Sequence, residues 1–207
     1  MSKPIKLYRH PLSGHCHRVE LFLSLLEVPY ELIDVDLVNG EHKQPEFLSK
    51  NVFGEVPVID DDGTILSDSN AILVYLAGKY DKTNSWLPGE PVVAAEVQRF
   101  LSIAQGPVAY GPAAARLVNV FGAGLDHEAA KARSGDLLDT LDRLLAARDF
   151  LAGTASIADL ACYAYIAHAP EGDVSLEPYP NVRAWLERIA SLPNFVPMQA
   201  TAIGLAA

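Results

Sequence analysis

The sequence predicts an α/β domain followed by an all-helical one, and three observations carry that prediction. Before residue 80, two-residue alternation and helical spacing take turns, in the order strand, helix, strand, helix, strand, strand, helix. Residues 81–91, DKTNSWLPGEP, then shift to the Asp, Lys, Asn, Gly and Pro of a linker. Beyond it no stretch alternates, and apolar residues recur at helical spacing. The division is therefore 1–80, a linker at 81–91, and a helical domain at 92–207. Half of the 207 residues are apolar, enough for a substantial core in each part.

The elements follow in order. Ile5-Lys6-Leu7-Tyr8 reads as a short strand, and His10-Pro11-Leu12-Ser13-Gly14 breaks it. From His15 onward Val19, Phe22, Leu23 and Leu26 mark the apolar face of a helix that ends near Val28-Pro29. Residues 30–37, YELIDVDL, read as a second strand with acids alternating outward. Pro45 stands at the first turn of a short helix after a polar loop. Val56–Ile59 and Ile65-Leu66 flank Asp60-Asp61-Asp62-Gly63, a hairpin with a glycine turn. Ser69-Asn70 starts a helix with Ile72, Leu73, Leu76 and Tyr80 on one face. The second domain reads as helices over 92–121, broken at Gly106-Pro107, then 128–148, 157–168 and 182–192. Ser156-Ile157-Ala158-Asp159 is a capping box before a run rich enough in Ala, Leu and Tyr to be buried.

Composition excludes several function classes. A net charge of −10 argues against a nucleic-acid backbone or an anionic membrane as partner. No apolar run reaches membrane-spanning length, and the N-terminus lacks the apolar core of a secretory signal. Two cysteines, Cys16 and Cys162, make no disulfide framework. The expected compartment is the cytoplasm.

One place draws chemical interest. Strand, tight turn and helix put the Ser13 hydroxyl at a helix N-terminus, where unpaired N–H groups and the helix dipole favour a negative charge. Lys3, Lys6, Arg9 and Arg18 all precede the first acid, Glu20, so an acidic protein begins with a positive turn. A plain N-cap accounts for Ser13 alone; an anion site accounts for the charges as well.

Further segments narrow this: the LYRHPLSGHCHRV opening, GEHKQPEFL, Asn51-Val-Phe-Gly-Glu-Val-Pro-Val58, Ile65-Leu-Ser-Asp-Ser-Asn-Ala-Ile72 and the Ser156–Asp159 box. Together, in this order and at these separations, they resemble the cytosolic glutathione transferase superfamily. The resemblance is closest to its serine-type members, the phi- and theta-like classes and their bacterial relatives. It implies a thioredoxin-like first domain (βαβαββα), an all-α second domain with an electrophile pocket, and a homodimer. Glutathione would be the co-substrate, no metal would be needed, and the second substrate would be a small hydrophobic electrophile. The resemblance makes Ser13 the hydroxyl that activates the thiol. It also makes Pro57 a cis proline that presents the Val56 backbone to glutathione. Asp68 and Ser69 would take the γ-glutamyl carboxylate by a hydroxyl and N–H groups, and His42 and Lys43 the glycyl carboxylate.

Two residues depart from the family pattern. Glu55 stands where glutamine is common and would repel the ligand's carboxylates, and Asp68 is shorter than the usual Glu or Gln. Tyrosine-type relatives carry their hydroxyl at the position of Arg9, while Tyr8 should face the other way. Cys16 offers a rival, a reactive thiol in a helix's first turn, against a thiol packed on the sheet. His10, His15 and His17 match no metal spacing and read as turn and surface residues. Tyr110, Arg116 and Phe121 are candidates for the second-domain pocket or its core. A glutathione-dependent disulfide reductase or peroxidase is the alternative enzyme, and a binding or regulatory module on the same fold the non-enzymatic reading.

Overall fold

The computed structural model describes residues 3–203. The described residues form two compact units, one from 3–84 with Pro193–Gln199, the other from Ser85–Leu192 with 200–203.

The first unit runs β1 (Ile5–Arg9), α1 (Gly14–Leu25), β2 (Tyr30–Asp34), a 3-10 turn (Glu41–Lys43), α2 (Pro45–Leu48), β3 (Val58–Asp61), β4 (Thr64–Ser67) and α3 (Ser69–Tyr80). Its sheet has the order β2-β1-β3-β4, with β1 and β2 parallel and the other pairs antiparallel. This is the thioredoxin-like arrangement. Alternation on β1 sorts its side chains to two faces. Ile5 and Leu7 are buried, as are Phe22 of α1 and Ile72 and Leu76 of α3, and α1 and α3 pack against each other. Tyr8 goes the other way, edge-on to Phe47 of α2 with ring centroids 6.4 Å apart.

The second strand is shorter than the sequence pattern predicts. It ends at Asp34 because β1, its partner, ends at Arg9; the last rung is Val35 N–H donating to the Arg9 carbonyl at 2.8 Å. Asp36 then turns the chain, its carboxylate accepting from the Asn39 N–H at 3.0 Å. The β3–β4 turn places Asp62 and Gly63 both at positive φ, 49° and 92°, as a two-residue Asp-Gly hairpin requires. The Asp61 carboxylate next to it accepts from Tyr75, Lys79 and Tyr80, which fastens the C-terminal half of α3 to the sheet.

The second unit holds α4 (Pro91–Gln105), a π-helical turn (Ala109–Ala113), α5 (Ala114–Phe121), α6 (His127–Leu145), α7 (Ile157–Ala167), a 3-10 turn (Ala169–Gly172) and α8 (Pro180–Ala190). The predicted break falls at Gly106, with φ −109° and ψ −100°. Every residue of α7 from Ile157 to Ile166 is buried, and the capping box forms. Asp159 accepts from the N–H groups of Ser156 (3.0 Å) and Leu151 (2.9 Å) and from the Trp185 indole (2.9 Å).

A second polar hub is Glu171, which is buried and accepts from Arg116, His168 and the Thr201 N–H. Burial alone would raise its carboxyl, but hydrogen bonds from His168, Thr201 and Arg116 outweigh burial and bring it down to about 2. A carboxyl held below its unfolded value stabilises the fold above that value and loses the contribution as pH falls. The melting temperature should therefore drop as pH falls from about 4.5 towards about 2. Glu171→Gln should flatten that part of the profile. Thermal denaturation at a series of pH values checks this, and an unchanged slope in the variant would show that other carboxyls set it.

Candidate active site

Ser13 is the N-cap of α1. The turn before it is closed by its own N–H donating to the His10 carbonyl at 3.0 Å, and its φ and ψ of −89° and 118° are extended, as a cap requires. Its Oγ accepts from the Cys16 N–H at 3.3 Å. This cap bond uses an oxygen lone pair and leaves the hydroxyl proton for another acceptor. Cap and donor are thus compatible roles for the same half-buried side chain.

The thiol three residues on is buried against the sheet. Its Sγ accepts from the His10 N–H at 3.4 Å. Burial pushes Cys16 up to about 11, against smaller downward pulls from Ser13, the His10 N–H and Arg9. A thiol in that state is a poor nucleophile, so the packed reading holds for Cys16. Cys162 is also buried and free.

The positive opening turn is less available than its sequence suggests. Lys3 pairs with Asp62, and Arg9 spans Glu20 at 2.7 Å and Asp34 at 2.9 Å. Two of the three histidines also need correction. His10 is a turn residue, its Nδ1 accepting from the Leu12 N–H. His17 is buried, with Nε2 at 2.8 Å from the Val196 carbonyl of the returning segment. His15 is not a surface group either: its Nδ1 lies 3.3 Å from the Ser69 Oγ.

The Val56–Pro57 bond is cis. Its approach is braced by Asn51, whose Nδ2 donates to the Glu55 carbonyl at 2.8 Å and whose Oδ1 accepts from the Phe53 N–H. Gly54, at φ +59°, sits so close to the His42 carbonyl that a Cβ there would lie 2.6 Å from it. Lys43 reaches across to the same turn, donating to the carbonyls of Phe53 (3.1 Å) and Gly54 (2.8 Å). Two of its three ammonium protons are thereby used. Glu55 points its side chain into solvent.

At the start of α3, Asp68 takes φ +70° and caps the helix through the Ala71 N–H at 2.8 Å. The Ser69 hydroxyl turns inward. Ser69 is 2 % exposed, and its Oγ accepts from Arg18 at 3.2 Å while lying beside His15. Arg18, completely buried, also donates to the Asn70 Oδ1 at 2.9 Å. Two helix N-termini, those of α1 and α3, are therefore joined by side chains of α1. Each favours an anionic group in front of it.

Comparison with known proteins decides the family. Residues 3–78 match the model of the glutathione S-transferase N-terminal domain, and residues 124–193 that of the C-terminal domain. The chain belongs to the cytosolic glutathione transferase superfamily. Glutathione S-transferase 3 of Zea mays is 32 % identical over 205 residues, 93 % of this chain and 91 % of that protein. Human glutathione S-transferase theta-2 is 37 % identical over 97 residues, 47 % of this chain and 40 % of its own length. A glutathione S-transferase structure from Pseudomonas fluorescens superposes with a TM-score of 0.88 at 35 % identity, covering 96 % of this chain and all of that one. A possible glutathione S-transferase from Rhodopseudomonas palustris gives 0.86 at 32 % identity, covering 97 % of this chain and all of its own. The chain is an enzyme that uses glutathione as co-substrate.

In this transferase the second-domain candidates separate. Tyr110 is exposed and lines a cavity of about 850 Å³ within the helical unit, together with Phe100, Ile103, Leu137 and Leu141. Arg116 is no pocket residue: it is buried against Glu171. Phe121 is exposed and lies outside that cavity. Among the described residues no cluster of His, Cys, Asp and Glu has the makings of a metal site, and no helix is long and apolar enough to cross a membrane.

Sequence reasoning missed Asn70, read His15 as a turn or surface residue, and took Arg18 as a charge and as the end of the motif that Ser13 begins. A signal was present: His15, Arg18 and Phe22 follow one another at helical spacing, so the two polar residues continue the apolar stripe inward.

Proposed function

We propose that the Ser13 hydroxyl donates a hydrogen bond to the glutathione sulfur and keeps its own proton, that the thiol so stabilised loses its proton to solvent at neutral pH, and that the thiolate attacks a small apolar electrophile. The observation that carries this is the cap geometry, in which the Ser13 oxygen accepts from the Cys16 N–H through a lone pair, a bond that does not use the hydroxyl proton. An unperturbed thiol titrates near ~8.5, and lowering it by about two units takes roughly 2.7 kcal/mol. A hydrogen bond to a charged group supplies about 1.5–3 kcal/mol, and the N-terminus of α1 adds to it. No histidine base is needed. Ligand binding by calorimetry, followed by conjugation of a model aromatic halide, tests the reading.

Glutathione would lie across Val56 and Pro57, its γ-glutamyl carboxylate at the start of α3. There the first-turn N–H groups take the load, because the Ser69 side chain is turned inward between Arg18 and His15 and Ser69 is almost fully buried. The third ammonium proton of Lys43, with His42 beside it, would serve the glycyl carboxylate. On this placement the exposed Glu55 carboxylate weakens the ligand. Glu55→Gln should tighten glutathione by about 1 kcal/mol, and the gain should shrink with added salt. A variant that binds more weakly would mean that Glu55 makes a favourable contact with the ligand.

We also infer that the transferase pairs with a second copy in the cytoplasm. Val52 and Phe53 stand 78 % and 74 % exposed at the tip of the Asn51–Gly54 turn, an apolar pair that an isolated chain would leave in water. The apolar cavity of the helical unit offers a matching surface on the other copy. Phe53→Ser should weaken self-association tenfold or more, on the order of a buried aromatic anchor. Sedimentation showing the wild type as monomer at micromolar concentration would refute pairing without touching the thiol site.

A further inference from the structure

We propose that His15 and Arg18 are positioning residues that set the spacing between the thiol donor on α1 and the carboxylate anchor at the start of α3. This rests on the reading that the α3 N-terminus receives the γ-glutamyl carboxylate.

Ser13, His15 and Arg18 fall within the first turn and a half of α1. Ser13 caps the helix, while the other two reach the neighbouring helix. Arg18 spends one nitrogen on both the Ser69 Oγ (3.2 Å) and the Asn70 Oδ1 (2.9 Å). His15 meets the same Ser69 oxygen from its Nδ1 at 3.3 Å. A hydroxyl accepting from one side and paired on the other is held in one rotamer. Ser69 and Asn70 are the first two residues of α3, so fixing them fixes the N–H groups that face the ligand. Burial, and then the Arg18 charge, push His15 down to about 3, so near neutral pH the imidazole is uncharged and Arg18 has no cation beside it there. Arg18 is an unusual choice for plain packing, since burying a guanidinium is costly without hydrogen bonds. Here its bonds go to two residues of the anchor. A tripeptide thiol held at both ends senses the separation of those ends, and misplacing reacting groups by about 1 Å can cost on the order of 100-fold.

The test measures glutathione affinity and the bound thiol's pH titration in His15→Leu, His15→Asn, Ser69→Ala and the His15→Leu/Ser69→Ala double variant. His15→Leu is expected to weaken glutathione about three- to tenfold, as for one lost hydrogen bond, and to raise the bound thiol's titration midpoint. His15→Asn, whose amide stands where Nδ1 stood, should recover most of both. The double variant should bind no worse than Ser69→Ala, because His15 acts through Ser69. Should His15→Leu fail to fold, His15→Ala carries the same comparison. Wild-type affinity in His15→Leu, or effects that add fully in the double variant, would overturn the proposal. Wild-type affinity in Ser69→Ala would overturn it as well, since His15 and Arg18 act through Ser69, whereas equal wild-type affinity for glutathione and for an analogue lacking the γ-glutamyl carboxylate would overturn the carboxylate reading beneath it.

Discussion

Ser13→Ala should lower the conjugation rate by about one to two orders of magnitude, the equivalent of losing a hydrogen bond of about 1.5–3 kcal/mol to a charged sulfur. Glutathione affinity should change little, because the hydroxyl acts on the sulfur and the peptide is held elsewhere. Alanine also removes a helix cap, at a cost of about 0.5–2 kcal/mol, so the melting temperature falls too. Two companions separate the effects. Ser13→Asp keeps a cap but has no proton to give at neutral pH, and should retain stability while losing turnover. Ser13→Thr keeps both functions. If Ser13→Asp turns over like the wild type, the serine is only a cap.

The largest effect on stability is expected at Asp159. Its carboxylate accepts from Ser156, Leu151 and Trp185 in a site where Asp159, Ser156 and Trp185 are all buried. Asp159→Ala strands these donors, and each buried unsatisfied group costs about 1–3 kcal/mol. The total for three donors, about 3–9 kcal/mol, is a large share of the 5–15 kcal/mol that holds a typical domain. Urea denaturation should show the helical unit barely folded or unfolded. Asp159→Asn, which keeps one acceptor oxygen, should lose less. A loss below about 1 kcal/mol in Asp159→Ala would mean that the donors find other partners.

Much of the fold was legible because its signals are local. The Asp62-Gly63 turn, the cap at Ser13, the break at Gly106 and the Ser156–Asp159 box are each decided by a few neighbouring residues. The end of β2 was not legible, since it depends on where β1 stops 25 residues earlier. The site was legible in its backbone elements and less so in its side chains. Ser13 and the cis Val56–Pro57 bond lie where the motifs put them. The inward turn of Ser69, the burial of Arg18 and the neutralisation of Arg9 by Glu20 and Asp34 depend on contacts between distant segments. Charge read along the chain predicted an open positive turn; charge read in space is mostly spoken for. Arg116 shows the same limit, a cation on an apolar helix whose partner, Glu171, lies 55 residues on.

A hydroxyl donor that lowers the thiol's proton affinity leaves its mark on the titration of the bound thiol itself. Thiolate absorbance of the enzyme–glutathione complex, followed from pH 5 to about 10, should show a midpoint roughly two units below the free value of ~8.5. In Ser13→Ala the midpoint should move most of the way back. A wild-type midpoint equal to that of free glutathione, or a lowered midpoint that Ser13→Ala leaves in place, would rule out Ser13 as the donor.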